Sequence, residues 1–202
     1  MANPASQVKE STLTLALERI DRRIARDLRA LRRARSLTLA QMSESIGRSV
    51  GWLSQVERGI SMPTLADLSR LADTFGVPMT LFFSREQQAE PEREVIVRAN
   101  ARRNLGSIEP GLEEELLLPV LGGSFEMRRR VFAPGSASDQ HAGRDTEEAG
   151  YVIAGEIDIE VDGVCHTLQA GDSFRYKGKT MRWRNCGDED AVVVWVMSPP
   201  VY

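Results

Sequence analysis

The 202-residue chain predicts an α + β protein of two domains, a helical N-terminal one and an all-β C-terminal one. Three observations carry this expectation. Up to residue 83, apolar side chains recur every three or four positions, the repeat of helices with one buried face. Beyond residue 93 the period falls to two, and glycines separate short apolar runs, as in strands joined by turns. Charge divides at the same place: residues 1–82 hold 12 Lys and Arg against 8 Asp and Glu, net +4, whereas the remainder holds 14 against 21, net −7. The overall charge of −3 hides a basic head suited to nucleic-acid phosphate and an acidic body with another task.

Residues 1–12 are polar and expected to be disordered, and residues 13–83 to form the helical domain, a bundle of five helices. In the first helix Ile20, Ile24, Leu28 and Leu31 make one apolar stripe. Arg22, Arg26, Arg29 and Arg33 line another face, read as a solvated surface with local pairs to Asp21 and Asp27. Thr38 followed by Gln41 has capping-box spacing and opens a second helix, in which Leu39, Met42 and Ile46 share a face. Gly47 supplies the positive φ that stops it. Ser49 caps the third helix, with Leu53 and Val56 inward, which ends at Gly59. Pro63-Thr64 starts a fourth, burying Leu65, Leu68, Leu71 and Ala72, and Met79–Phe83 makes a short fifth.

The stretch 39–58 is two short helices around a tight turn. With a small residue at 43, Gly47, Leu53, Val56, Glu57-Arg58-Gly59 and Pro63, it resembles the phage-repressor or Cro-type helix-turn-helix regulators, over about Leu28 to Phe82. The resemblance implies that Val50–Arg58 is the reading helix in the major groove. Thr38, Leu39, Gln41, Arg48, Ser49, Val50, Gly51, Ser54, Gln55 and Arg58 are then the DNA-facing residues. Gln55 carries the amide pair that addresses adenine, Val50 offers apolar contact, and Arg48, Ser49 and the first amides of helix 2 suit phosphate. Gly51 presents no side chain where relatives often read a base, so DNA shape should contribute. Trp52 is read as packing rather than base stacking. The resemblance also pairs Arg32 with Glu57 as a structural ion pair joining the first helix to the reader.

Residues 84–92 are polar and charged and read as a linker. In 93–202, strands are expected at Glu94–Val97, Glu115–Leu118, Phe125–Phe132, Ile157–Val161, Val164–Leu168, Ser173–Tyr176, Thr180–Asn185 and Ala191–Met197, with Asp162-Gly163 as a hairpin turn. Gly135, His141, Glu148 and Gly155 at their spacing, Ala170-Gly171-Asp172, Trp183-Arg184-Asn185 and the closing Ser198-Pro199-Pro200 resemble the cupins, small jelly-roll β-barrels, here over roughly Arg93 to Tyr202. Metal-binding cupins use three histidines and a glutamate. Here Gly143 stands at the second histidine and Met181 at the last, so only His141 and Glu148 remain, too few for a first-row metal. No metal or cofactor is expected. His141, Glu148, Met181 and Trp183 are the pocket candidates for a small effector, against the alternative of a filled barrel without ligand.

No apolar run reaches the length of a membrane span, and no signal-peptide core opens the chain. Cys165 and Cys186 have neither metal nor redox spacing and read as packed, reduced thiols; His166 is read as core. These features suit the cytoplasm. The function expected is a one-component transcriptional regulator, a homodimer on double-stranded operator DNA, with the barrel as effector sensor and no catalytic residue. The alternatives are a cupin enzyme with an appended head, such as a metal-dependent oxygenase or isomerase, and a scaffold whose barrel only dimerises.

Overall fold

The computed structural model describes residues 21–83, 92, 95–107, 109–139, 141 and 143–201. They belong to two compact units, Met1–Phe83 and Ser84–Tyr202. The expected disordered terminus, the first turns of helix 1 including Ile20, and residues 84–91 of the expected linker lie outside the described residues.

In the first unit α1 is helical throughout residues 21–34, and Ile24, Leu28 and Leu31 are buried. Asp27, expected as a surface partner for the arginine row, is 1% exposed, while Arg22, Arg29 and Arg33 are exposed. α2 (Leu39–Ile46), α3 (Val50–Glu57) and α4 (Leu65–Phe75) follow. The capping box of α2 is formed: Gln41 N–H donates to Thr38 Oγ1 (3.2 Å) and Thr38 N–H donates to Gln41 Oε1 (2.8 Å). Gly47 ends α2 at φ +68°, where a Cβ would be strained. Ser49 caps α3 by accepting from Trp52 N–H, 3.1 Å. A fifth α-helix does not form. Met79–Phe83 is a 3-10 turn, five residues being enough for i→i+3 bonds but too short for stable i→i+4 propagation.

The second unit is β-rich. Its strands are β1 (Arg103–Asn104), β2 (Leu112–Leu116), β3 (Glu126–Phe132), β4 (Glu147–Ala154), β5 (Glu156–Val161), β6 (Val164–Gln169), β7 (Ser173–Lys177), β8 (Met181–Arg184) and β9 (Ala191–Ser198). A six-stranded sheet runs β1-β2-β3-β9-β4-β7 and a three-stranded sheet β6-β5-β8, with every pairing antiparallel. Hydrogen bonding thus groups the strands into two facing sheets and does not close them into one barrel, because β6 and β7 are left as separate sheet edges. Between them lies a core of Phe132, Val152, Ile157, Ile159, Trp183, Val193, Trp195 and Met197. β9 is apolar on both sides: Ala191, Val193, Trp195 and Met197 are buried, and Val192, Val194 and Val196 lie half-buried on the outer face.

Four local expectations are corrected. Leu65, expected to face inward on the fourth helix, is 66% exposed at the helix's first position, where the core face has not yet begun. Residues 95–98 form no strand, and Val95 is 77% exposed, since no neighbouring strand pairs with them. His166 is exposed rather than core, because β6 is an edge strand that leaves most of its side chains in solvent. Cys165 and Cys186 are free thiols but exposed, not packed.

Candidate nucleic-acid interface and sandwich interior

The helix pair is held together by polar contacts around its turn. Gly47 N–H donates to Ser43 O (3.1 Å), and the Ser43 hydroxyl donates to Arg48 O, so the small residue at 43 stitches the turn as well as allowing close approach. Leu53 and Val56 anchor α3, leaving its other side open. Ser49, Val50, Gly51, Gln55 and Arg58 are exposed, as are Thr38, Gln41 and Arg48, whereas Leu39 and Ser54 are half-buried. Gln55 Oε1 accepts from the Ser61 hydroxyl (2.9 Å), which orients the amide and leaves its Nε2 donors outward. Arg58 Nε donates to Ser54 O, 3.1 Å.

Arg32 forks onto Glu57: Nε to Oε1 at 2.6 Å and Nη2 to Oε2 at 2.8 Å, while Nη1 donates to Leu37 O at 2.9 Å. One guanidinium therefore ties the end of α1, the entry to α2 and the end of α3. The Glu57 hydrogen bonds, outweighing partial burial, raise the Arg32 pKa further, so the guanidinium stays charged.

Arg48 is more constrained than a free phosphate-seeking side chain. Its Nε and Nη2 donate to Asp67 (2.8 and 3.1 Å), and its guanidinium lies 5.1 Å from the Trp52 ring centre. Asp67 also caps α4 through Thr64, and the Arg48 hydrogen bond, followed by those from Thr64, holds its carboxyl at about 2. Asp67 had a sequence signal as a cap, Thr64 standing three residues before it, but none for its link to Arg48.

Within the β unit, the four expected pocket residues fall into two hydrogen-bonded groups. His141 Nε2 lies 2.6 Å from Glu109 Oε1, Trp183 Nε1 donates to Glu109 Oε2 at 3.1 Å, and His141 and Met181 exchange backbone bonds of 2.8 and 3.1 Å. Glu148 belongs to the second group: its Oε2 accepts from the Tyr176 hydroxyl and from Trp195 Nε1, both at 2.8 Å, and its Oε1 from Thr146 at 3.1 Å. Burial, and then the Glu148 charge, push the Tyr176 phenol well above its ordinary range. Phe132 bridges the groups, edge-on to Trp183 with centroids 4.6 Å apart and 6.5 Å from Trp195.

Beside them run inward-facing charges that sequence reasoning missed. Arg130 Nε donates to Glu114 (2.6 Å) with its guanidinium 4.5 Å from the Trp195 ring centre, and Arg128 sits between Glu114 (3.1 Å) and Glu126 (2.7 Å). Burial raises the Glu126 pKa, whereas in Glu114 burial is outweighed by the charges of Arg130 and Arg128, which lower it. Glu109, Arg130 and Tyr176 had no local motif to mark them.

These donors do not suit a metal. Glu148 is already committed on both oxygens. At Gly143, a Cβ would lie 2.5 Å from Gly178 O, so the backbone leaves no room for a ligating side chain there. Among the described residues no group of three His, Cys, Asp or Glu is placed to hold a metal ion.

Taken together, an open helix of a capped helix-turn-helix and a two-sheet β unit with a polar interior define a DNA-binding protein with an appended cupin. The family model for a helix-turn-helix domain matches residues 23–82 and that for a cupin domain matches residues 128–197. The chain is 30% identical over 176 residues to the HTH-type transcriptional regulator SutR of Escherichia coli (strain K12), covering 86% of this chain and 93% of that one. It is 24% identical over 151 residues to PuuR, a second HTH-type transcriptional regulator of that strain, covering 73% and 78%. A solved HTH_3 family transcriptional regulator from Vibrio cholerae aligns over 91% of this chain and 98% of its own at 21% identity, with a TM-score of 0.43. The chain belongs to the HTH-type transcriptional regulators that carry a cupin domain.

Proposed function

We propose that the chain is a one-component regulator of the cytoplasm, acting as a homodimer on double-stranded operator DNA. Residues 13–83 are the DNA-binding head and residues 93–202 the sensor, joined by 84–92. The observation that carries the reading is the open outer side of α3, where Ser49, Val50, Gly51 and Gln55 stand clear of the unit's own core. Gln55 reads an adenine edge, Val50 packs on a thymine methyl, and Ser49, Arg48, Thr38, Gln41 and Arg58 meet the backbone, with Leu39 and Ser54 supporting them. A two-fold pair of heads addresses half-sites roughly 34 Å apart or a multiple of that.

The sensor takes up a small effector in its interior, beside His141, Glu148, Met181 and Trp183, with Glu109 and Tyr176 orienting polar groups. An effector favouring one conformation of the β unit shifts the head population and hence operator affinity. No catalytic residue is proposed. The regulators among its relatives support this over an enzyme, and so does the closed-off position at Gly143.

The test begins with genomic selection of bound fragments, followed by fluorescence anisotropy on the selected site and on scrambled duplex. Gln55→Ala should weaken the selected site by about tenfold to a hundredfold and leave scrambled-duplex binding unchanged, as expected for loss of one bidentate base contact. Equal weakening on both duplexes would remove Gln55 from base reading, and no enrichment of any fragment would overturn the regulator reading.

A further inference from the structure

His141 and Trp183 present two ring N–H groups side by side, and one carboxylate already takes both. Glu109 Oε1 lies 2.6 Å from His141 Nε2, and Glu109 Oε2 accepts from Trp183 Nε1 at 3.1 Å, one oxygen to each donor. Two donors spaced to meet the two oxygens of a single carboxylate form a receptor for that group. Neither donor depends on Glu109 for its position. Trp183 is 2% exposed, its backbone N–H donates to Ser138 Oγ (3.0 Å), and its ring packs edge-on to Phe132. His141 is pinned to Met181 by their paired backbone bonds. The His141 side chain is 40% exposed, so the pair can be reached from solvent.

The occupant is held less firmly than the donors. Glu109 belongs to the connection between β1 and β2, where Gly106, Ser107, Pro110 and Gly111 are exposed. Among the described residues, the hydrogen bonds of 106–110 other than those of the Glu109 carboxylate stay local. Gly106 N–H donates to Asn104 Oδ1 (2.7 Å), Glu109 N–H to Ser107 Oγ (3.0 Å) and Leu112 N–H to Glu109 O (3.2 Å). A fixed donor pair is thus filled by one arm of an exposed turn.

We propose that the His141–Trp183 pair is the subsite that anchors a carboxylate of the effector, and that Glu109 holds its place until a ligand carboxylate displaces it. The neighbouring groups select this class. Glu148 accepts from Tyr176, Trp195 and Thr146, so both of its oxygens are engaged, which disfavours a cationic ligand. A neutral ligand with one carbonyl oxygen would fill one donor and leave the other bare, at the cost of an unmade hydrogen bond. Displacement detaches the β1–β2 connection from the donor pair, and this supplies the conformational difference on which an effector acts. The inference rests on the sensor proposed above and gives Glu109 the part of place-holder there.

Glu109→Ala in the full chain vacates the donors, and sodium acetate is the probe, titrated against sodium chloride at equal ionic strength and followed by thermal melting. Acetate should raise the melting temperature of Glu109→Ala saturably, as a ligand of the folded state does. The wild type should need at least about tenfold more acetate, because a tethered carboxylate competes at high effective concentration. Acetamide and methylammonium chloride should have little effect, and adding His141→Ala should remove the acetate response. Glu109→Gln, which keeps the shape of the side chain, carries the same comparison if Glu109→Ala does not fold. A vacated protein that responds to acetate no more than to chloride would overturn the subsite, as would equal responses from wild type and variant, or an undiminished response in the folded double variant. Inorganic phosphate bound more tightly than acetate would overturn the carboxylate class. Anisotropy on the selected operator fragment separates the two proposals. Acetate that binds Glu109→Ala without changing its operator affinity keeps the subsite and sinks the sensor. A protein that selects its operator but ignores acetate when vacated sinks the subsite and leaves the regulator standing.

Discussion

Removing the Arg32 guanidinium should cost the helical unit more than half of its stability. Arg32→Ala deletes two bonds to Glu57 and one to Leu37 O, and it strands a carboxylate whose side chain is only 6% exposed. Breaking one side of a buried pair costs about 3–5 kcal/mol, and because Arg32 itself is 15% exposed the lower end, about 3 kcal/mol, applies here. A helical unit of this size has a total stability of only about 5 kcal/mol, so a loss of that order lowers its melting temperature by about 15 °C or more. Urea titration followed by helical circular dichroism measures this. Glu57→Gln keeps an acceptor and removes the stranded charge, so it should cost less, about 1–2 kcal/mol. The double variant Arg32→Ala with Glu57→Gln should be more stable than Arg32→Ala alone, because no charge is then stranded, and it closes a cycle with a coupling energy of about 2 kcal/mol. An Arg32→Ala loss below about 1 kcal/mol would refute the reasoning, because the pair would then behave as an ordinary surface contact.

Two further outcomes concern titration. Asp67 has a folded pKa below its unfolded value, so its contribution is fully present above about pH 4 and lost as pH falls through about 2. Solvent screening at Arg48 limits it to about 1 kcal/mol; Asp67→Asn should remove that step from the acid-stability profile, and an unchanged profile would contradict it. Tyr176 is one of three tyrosines, and its phenol is pushed upward by burial and Glu148. Tyr176→Phe should leave the tyrosinate absorbance gained by about pH 11 unchanged while costing about 1 kcal/mol of stability; a smaller absorbance gain in the variant would refute the upward shift.

The legible parts of this chain were those written in short-range code. Thr38 to Gln41, Gly47 and Ser49 each act within four residues, and α2 and α3 follow from them. Strand β4 was missed because its inward positions are Glu148, Gly150 and Val152, which break the apolar alternation that marks a strand. Val95 to Val97 carried the apolar signal without a partner strand, and pairing is decided by the sheet rather than by the segment. The polar interior was hidden for a different reason. Glu109 meets Trp183 from 74 positions away, and Arg48 meets Asp67 from 19, separations at which residue type alone says nothing about contact.

The tight backbone beside Gly143 constrains what this position can carry. Because the Gly178 carbonyl fills the volume that any β-carbon at 143 would need, introducing a histidine there would first require the turn at 178–179 to be rebuilt. A Gly143→His substitution alone therefore supplies no ligand without a shift of that backbone.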